Sequence, residues 1–196
     1  MPKISIVLPI HDMKNGAFFF WRAINSIMEQ TLKDYEIVIV KEGLMAENTN
    51  AGIRRAKGEY IKILYMDDYL AHPNALADIV QSFQLEGEWL ITAADTNLKP
   101  QWMNDIQYGN NKLGSPSALT FRNYFQENQL FDENLSWLLD CDLYRRLYDR
   151  HGPPIILETV NVNIGVGEHQ VTHLMSDEDK LKEHEYINKK WQPEFY

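Results

Sequence analysis

A chain of 196 residues with a formal net charge of −9 and one cysteine has room for a sizeable core and none for an internal disulfide. The acidic balance argues against nucleic-acid binding, which ordinarily needs a basic surface, but allows an anionic ligand screened by a metal ion or a local cation. No apolar run is long enough to cross a bilayer, "MPKISIVLPIHD" does not read as a secretory leader, and the lone Cys141 suits a reducing compartment, so a cytoplasmic protein is expected.

The run "ISIVLPI", Ile4 to Ile10, is β-branched and reads as a strand buried on both faces. After Asn15-Gly16, apolar residues at Phe20, Trp21, Ile24, Ile27 and Met28 trace a helical stripe from Ala17 to about Thr31. Phe18 falls on the side of Arg22, Asn25 and Glu29. "YEIVIV" is a second buried strand; a polar turn follows, then a short helix from Thr49 to Ala56 closed by Gly58 as a left-handed cap. "EYIKILYM" is a third strand, and Pro73 suits the first turn of the next helix. Strand and helix alternating in this way predict a parallel sheet with crossover helices. Further on, "EWLITAAD" and "SALTF" read as strands, "WLLDCDLYRRLYDRHG" as a helix capped by Gly152, and "PPIILETVNVNIGV" as one strand or two. Ser176 and Asp179, at capping-box spacing, open a polar helix. No repeat, low-complexity tract or linker divides the chain, so 1–196 is read as a single compact domain.

The third strand ends in two adjacent carboxylates, Asp67 and Asp68, inside "YIKILYMDDYLAHP". In open α/β sheets ligands bind beyond the carboxyl ends of parallel strands, and three such ends here are polar: His11-Asp12, Lys41-Glu42 and Asp67-Asp68. Neighbouring like charges are unfavourable unless a cation or hydrogen-bond donors offset them. Mg²⁺ commonly takes only one or two carboxylates and completes its shell with water and phosphate oxygens. Taken alone, the doublet is better explained by solvation or by capping the next helix.

Four stretches in order change that balance. "ISIVLPIHD", "RAINSIMEQTLKDYEIVIV", "NAGIRRAKGEYIKILYMDDYLAHP" and "FDENLSWLLDCDLYRRL" together resemble the family 2 glycosyltransferases over most of residues 3 to 147. The resemblance implies a GT-A fold: an α/β, Rossmann-like three-layer α/β/α sandwich with a mostly parallel central sheet. It assigns residues 1–95 to a nucleotide-sugar-binding half, 96–175 to an acceptor-side half and 176–196 to a polar C-terminal helix and tail. It implies a metal-dependent, inverting transfer of sugar from a UDP-sugar to a hydroxyl-bearing sugar or glycan, in building a surface polysaccharide or glycan. The cofactor implied is Mn²⁺ or Mg²⁺.

Site roles follow from the same resemblance. Pro9 and His11 line the base, Glu42 accepts from it, Asn50 lies near the nucleoside and Asp67 near the ribose and first phosphate. Asp68 is the metal ligand. A carboxylate at 42 can accept the N3–H of uracil or thymine, which cytosine lacks, so a dTDP-sugar also fits. Asp140 is the candidate base for the acceptor hydroxyl. Asp142 points about 200° away on a helix and cannot share its work. In "NIGVGEHQVTH", Gly165 and Gly167 stand where the family has Arg and His, which leaves His169 or His173, the former preferred, as a candidate for the diphosphate or the metal. Lys41 and Leu139 also depart from the family pattern. Arg54-Arg55 read as a solvated helix face. Phe18 and Phe19 are a candidate membrane-facing or dimer patch, consistent with a location at the inner face of a membrane, whereas Trp21 is expected in the core. Two other readings stand beside this one: a nucleotide-sugar-binding protein without transfer activity, and a sugar-phosphate nucleotidyltransferase. The latter usually has a Gly-rich basic loop where this chain has only "PIHDMKNGAF".

Overall fold

The computed structural model describes residues 1–84, 86–96, 99–124, 130–167 and 170–192. The first strand, β1 (Ile4–Pro9), sets the layers. Its Ile4, Ile6 and Leu8 face one core with Ile24 and Ile27, while Val7 faces a second core with Ile53 and Ile61. The other strands are β2 (Tyr35–Val40), β3 (Tyr60–Ile63), β4 (Tyr69–Leu70), β5 (Trp89–Ala94), β6 (Leu119–Arg122) and β7 (Ile155–Asn163). They form one sheet in the order β2-β1-β3-β6-β5-β7-β4. The β2-β1-β3 half is parallel, with Val7 aligned to both Val38 and Ile63. The other half is mixed: β6 runs against both β3 and β5, β5 and β7 are parallel, and β7 pairs antiparallel with β4.

Helix α1 (Gly16–Met28) and helix α3 (Ala75–Ser82) cover the face of Ile4 and Ile6. Helices α2 (Met45–Arg55) and α4 (Leu139–His151) cover the other, where Leu143 and Tyr144 pack on Trp89. A short α5 (Val171–Leu174) leads into α6 (Asp177–Lys190), whose Ser176 hydroxyl accepts from the Asp179 amide at 3.2 Å. Among the described residues no helix is long and apolar enough to cross a membrane.

Several local expectations change. α2 begins four residues before Thr49, because the Glu47 carboxylate accepts from the Leu44 amide at 2.7 Å and closes the first turn. β2 is an edge strand, only partly covered, and Ile39 is 45% exposed. Trp21 is 59% exposed beside Phe18 at 64%, since α1 buries only Ala23, Ile24 and Ile27. Gly58 does not take a left-handed conformation. Glycine is needed there because a Cβ would overlap the backbone of Ile4 and Ser5, and its amide donates to Ser5 Oγ at 2.7 Å.

Candidate functional site

The parallel strands β1, β2 and β3 deliver their carboxyl ends to one edge of the sheet, and two cross-links join the ends of β1 and β2 there. Asn48, 4% exposed on α2, donates to the Ile10 carbonyl at 2.9 Å and accepts from the Glu42 amide at 2.8 Å. Lys41 Nζ meets Asp12 Oδ1 at 2.8 Å across the solvent side. Pro9 is buried at the end of β1, and His11 is exposed just beyond it with its amide against Met66 Sδ at 3.3 Å. The Glu42 carboxylate is paired with the Arg55 guanidinium, so it lies along α2 in an ion pair.

Asn50 departs from its expected place near a nucleoside. It is 1% exposed, and its amide is spent on the loop before α4: it donates to the Phe131 carbonyl and to Glu133 Oε1, both at 2.9 Å, and accepts from the Phe131 amide at 2.8 Å. Such a paired amide fastens a loop and is not available to a ligand. Arg54 meets Glu133 at 3.7 Å. His169 lies outside the described residues.

The carboxylate doublet occupies the turn between β3 and β4, and its two members diverge. Asp67 is partly exposed at the edge, and its carbonyl accepts from Arg22 Nη2 at 2.5 Å. Asp68 is 3% exposed; its Oδ1 accepts from the Gly165 amide at 2.7 Å and the Ser117 hydroxyl also serves it. Below it sits Lys62, fully buried within β3, donating to the Ser117 carbonyl. Ser117 Oγ in turn accepts from the Tyr65 amide at 2.9 Å. Burial, followed by the charge of Asp67, pushes the Asp68 carboxyl up, and burial pushes the Lys62 ammonium down. Asp68, expected as the metal ligand, is thus buried with its carboxylate on protein donors, and Asp67 is the partly exposed member of the pair. Gly165 explains the close fit. A Cβ at that position would overlap the Asp67 carbonyl oxygen.

On the acceptor side, Asp140 lies in the first turn of α4. Its Oδ1 accepts from the Cys141 amide at 2.8 Å and its Oδ2 from Asn111 Nδ2 at 2.9 Å. Burial outweighs these bonds and pushes its carboxyl up to about 6. Asn111 also folds its own loop, accepting from the Leu113 amide at 2.8 Å. Tyr65, whose phenol is pushed up by burial, lies within electrostatic reach of Asp140, Asp68 and Asp67 together. The doublet and Asp140 thus border one neighbourhood. Leu139 is 2% exposed in the core, and Asp142, fully buried, is held by Arg146 Nε at 2.8 Å and Lys190 Nζ at 2.9 Å.

No cluster of three His, Cys, Asp or Glu side chains poised to enclose a metal is found among the described residues. The donor set at the edge, two adjacent carboxylates of which Asp67 is partly exposed and Asp68 buried, has the chemistry of a hard divalent cation that relies on phosphate and water for the rest of its shell. Elsewhere, a groove of about 340 Å³ between α2, α4 and α6 is lined by Arg54, Arg146, Lys190, Asp132 and Glu133. Its cations face carboxylates, Lys190 meeting Asp132 at 2.6 Å, so it offers little net charge to a ligand.

Sequence reasoning missed Asn48, Ser117, Asn111 and Lys62. Only Lys62 carries a visible signal, a charge in the middle of the apolar run "YIKIL".

No protein-family model matches the chain. An uncharacterised glycosyltransferase of Rickettsia prowazekii is 26% identical over 75% of this chain and 59% of its own length. One from Rickettsia typhi is 27% identical over 73% and 58%. The chain therefore spans somewhat over half the length of these curated relatives. Among solved structures, residues 1–349 of Staphylococcus aureus TarS in complex with UDP-GlcNAc superpose with a TM-score of 0.71 at 15% identity, covering 96% of this chain and 66% of that one. The mannosyltransferase PcManGT of Pyrobaculum calidifontis, in complex with GDP-Man and Mn²⁺, gives 0.65 at 13% identity, covering 86% and 58%. In sequence the chain is similar to curated glycosyltransferases, and it shares the GT-A fold of these solved structures.

Proposed function

We propose that the edge formed by β1, β2 and β3 binds a nucleoside-diphosphate sugar, UDP-linked or dTDP-linked, and that the sugar passes to the hydroxyl of an acceptor sugar or glycan with inversion. The observation that carries this reading is the convergence on Tyr65: the acidic doublet at a strand tip and Asp140 in the first turn of α4 both lie within electrostatic reach of its phenol. Asp140, with its carboxyl at about 6, is mostly ionised near neutrality yet basic enough to accept the hydroxyl proton as the glycosidic bond forms. Asp67 is the residue to hold Mn²⁺ or Mg²⁺, and Asp68, locked to Gly165 and Ser117, fixes the turn behind it. When bound, such an ion supplies Lewis-acid stabilisation to the departing diphosphate. His11 and Pro9 border the base, and Glu42 reads it once Arg55 is displaced. The nucleotide-sugar and Mn²⁺ complexes of the structural neighbours support this choice of ligands. Synthesis of a surface polysaccharide or glycan at the inner face of a membrane, with the exposed Phe18 and Trp21 as contacts, completes the reading.

Titration calorimetry with UDP, with and without Mn²⁺, tests the donor side. UDP should bind more tightly with Mn²⁺, and Asp67→Ala should lose that increment. Absence of UDP binding overturns the donor assignment; binding indifferent to Mn²⁺ and to Asp67→Ala overturns the metal. A binding protein without transfer activity is the second reading, favoured by Leu139 in the core and by the Glu42–Arg55 pair.

A further inference from the structure

We propose that Glu183, on α6, is a positioning residue for Asp140: it seats the start of α4, and its carboxylate occupies the helix terminus that Asp140 would otherwise draw upon. The inference rests on the reading of Asp140 given above.

The cap of α4 is Leu138, whose side chain has no acceptor to offer. The amides before the first turn still need partners, because the opening N–H groups of a helix have none within it. Glu183, 7% exposed, supplies them from another helix. Its Oε1 accepts from the Ser136 amide at 2.7 Å, its Oε2 from the Leu138 amide at 2.9 Å, and both share the Trp137 amide at 3.2 and 3.0 Å. α6 grips α4 a second time two turns later, where Trp191 Nε1 and Lys190 Nζ reach Asp142 Oδ1 at 3.1 and 2.9 Å. Asp140 lies between the two grips, so the docking of α6 governs where its carboxyl points.

The charge of Glu183 matters as well as its bonds. A helix start carries partial positive charge and stabilises a nearby anion. With Glu183 seated there, less of that field is left for Asp140, and its ionised form depends on the Cys141 amide and on Asn111. The titratable groups within electrostatic reach of it are Tyr65, just beyond β3, and Cys141 and Tyr144 on α4, while His184 and Lys190 on α6 engage Trp137 and Asp142. Replacing Glu183 with Gln keeps the side-chain length and removes the charge, while its NH₂ gives up part of the bonding to the backbone amides. The Asp140 carboxyl should then ionise at lower pH.

The Cys141 amide, bonded to Asp140 Oδ1, reports that ionisation directly in ¹⁵N–¹H spectra of the full chain recorded across pH. Asp140→Asn should abolish its titration, which identifies the reporter. In Glu183→Gln the midpoint should fall by roughly half a pH unit, the usual size of a charge effect at a helix terminus. An unchanged or raised midpoint overturns the proposal. Glu183→Ala should also speed hydrogen exchange at Ser136 to Leu138; if that variant does not fold, the Gln variant still decides. The acid limb of kcat/KM should move with the spectroscopic midpoint. A shifted midpoint in a protein that transfers no sugar would retire the transferase reading and leave the link between Glu183 and Asp140 standing.

Discussion

The donor edge and the acceptor side reach the same end by different construction. At the donor edge most of the parts lie close in sequence, apart from Ser117 and Gly165, which reach Asp68 from far along the chain. Glu42 is bonded to Asn48 six residues away, Asp68 closes a turn on Tyr65, and the parallel register of β1, β2 and β3 brings their tips together. On the acceptor side Asp140 depends on Asn111, 29 residues earlier, and its helix on Glu183, 45 residues beyond Leu138. The difference teaches that a carboxylate's neighbours in the chain say where it sits, whereas distant segments set its basicity and orientation.

Three changes break or sharpen this contrast. Asp140→Asn has the largest expected effect: transfer should fall by about 10²–10⁴-fold, the usual contribution of a general base, while UDP affinity in calorimetry stays the same. Undiminished transfer would remove Asp140 from the chemistry, and equal loss of UDP binding would show the two sides to be one unit. In the wild type, kcat/KM should rise as pH passes upward through about 6, because only the ionised carboxylate accepts a proton. The sign for stability is the reverse. The folded chain binds this proton from about 6 downward and the unfolded chain only near 3.8, so this group favours folding more as pH falls through that window.

Gly165→Ala should have an intermediate effect confined to the donor edge. The added Cβ overlaps the Asp67 carbonyl oxygen and pushes on the bond from the Gly165 amide to Asp68. A loss of about 1–3 kcal/mol in urea denaturation is expected, the usual cost of overpacking. A neutral result would show that the doublet turn yields freely. Arg55→Ala should change least. Its pair with Glu42 is about half exposed, so stability should move by less than about 1 kcal/mol. Freed of that partner, Glu42 should raise affinity for UDP and not for CDP in a competition assay. A parallel rise for both nucleotides would show that Glu42 does not read the base.

Much of the first half was readable before the structure because its signals are local. The apolar runs of β1 and β3, the stripe of Ile24 and Ile27 and the acids at a strand tip all mark their own positions. Trp21 and Met28 misled because periodicity identifies a helix but not the width of the face its neighbours cover. Gly58 misled because a glycine after a helix reads as a cap, whereas here the demand comes from strand β1 passing against it. Asn50 was placed by position in a motif, yet its amide fastens Phe131, a partner 81 residues away that no local pattern announces.

By itself the sequence determined an alternating α/β chain with carboxylates at the tip of its third strand, since hydrophobic spacing and backbone preference act over a few residues. Only the tertiary structure decided that Asp68 turns inward to Gly165 and Ser117 while Asp67 faces the edge, and that Glu183 takes the amides ahead of α4. Those outcomes depend on burial and on which donors the folded chain brings within hydrogen-bonding distance. Both are settled between segments far apart along the backbone.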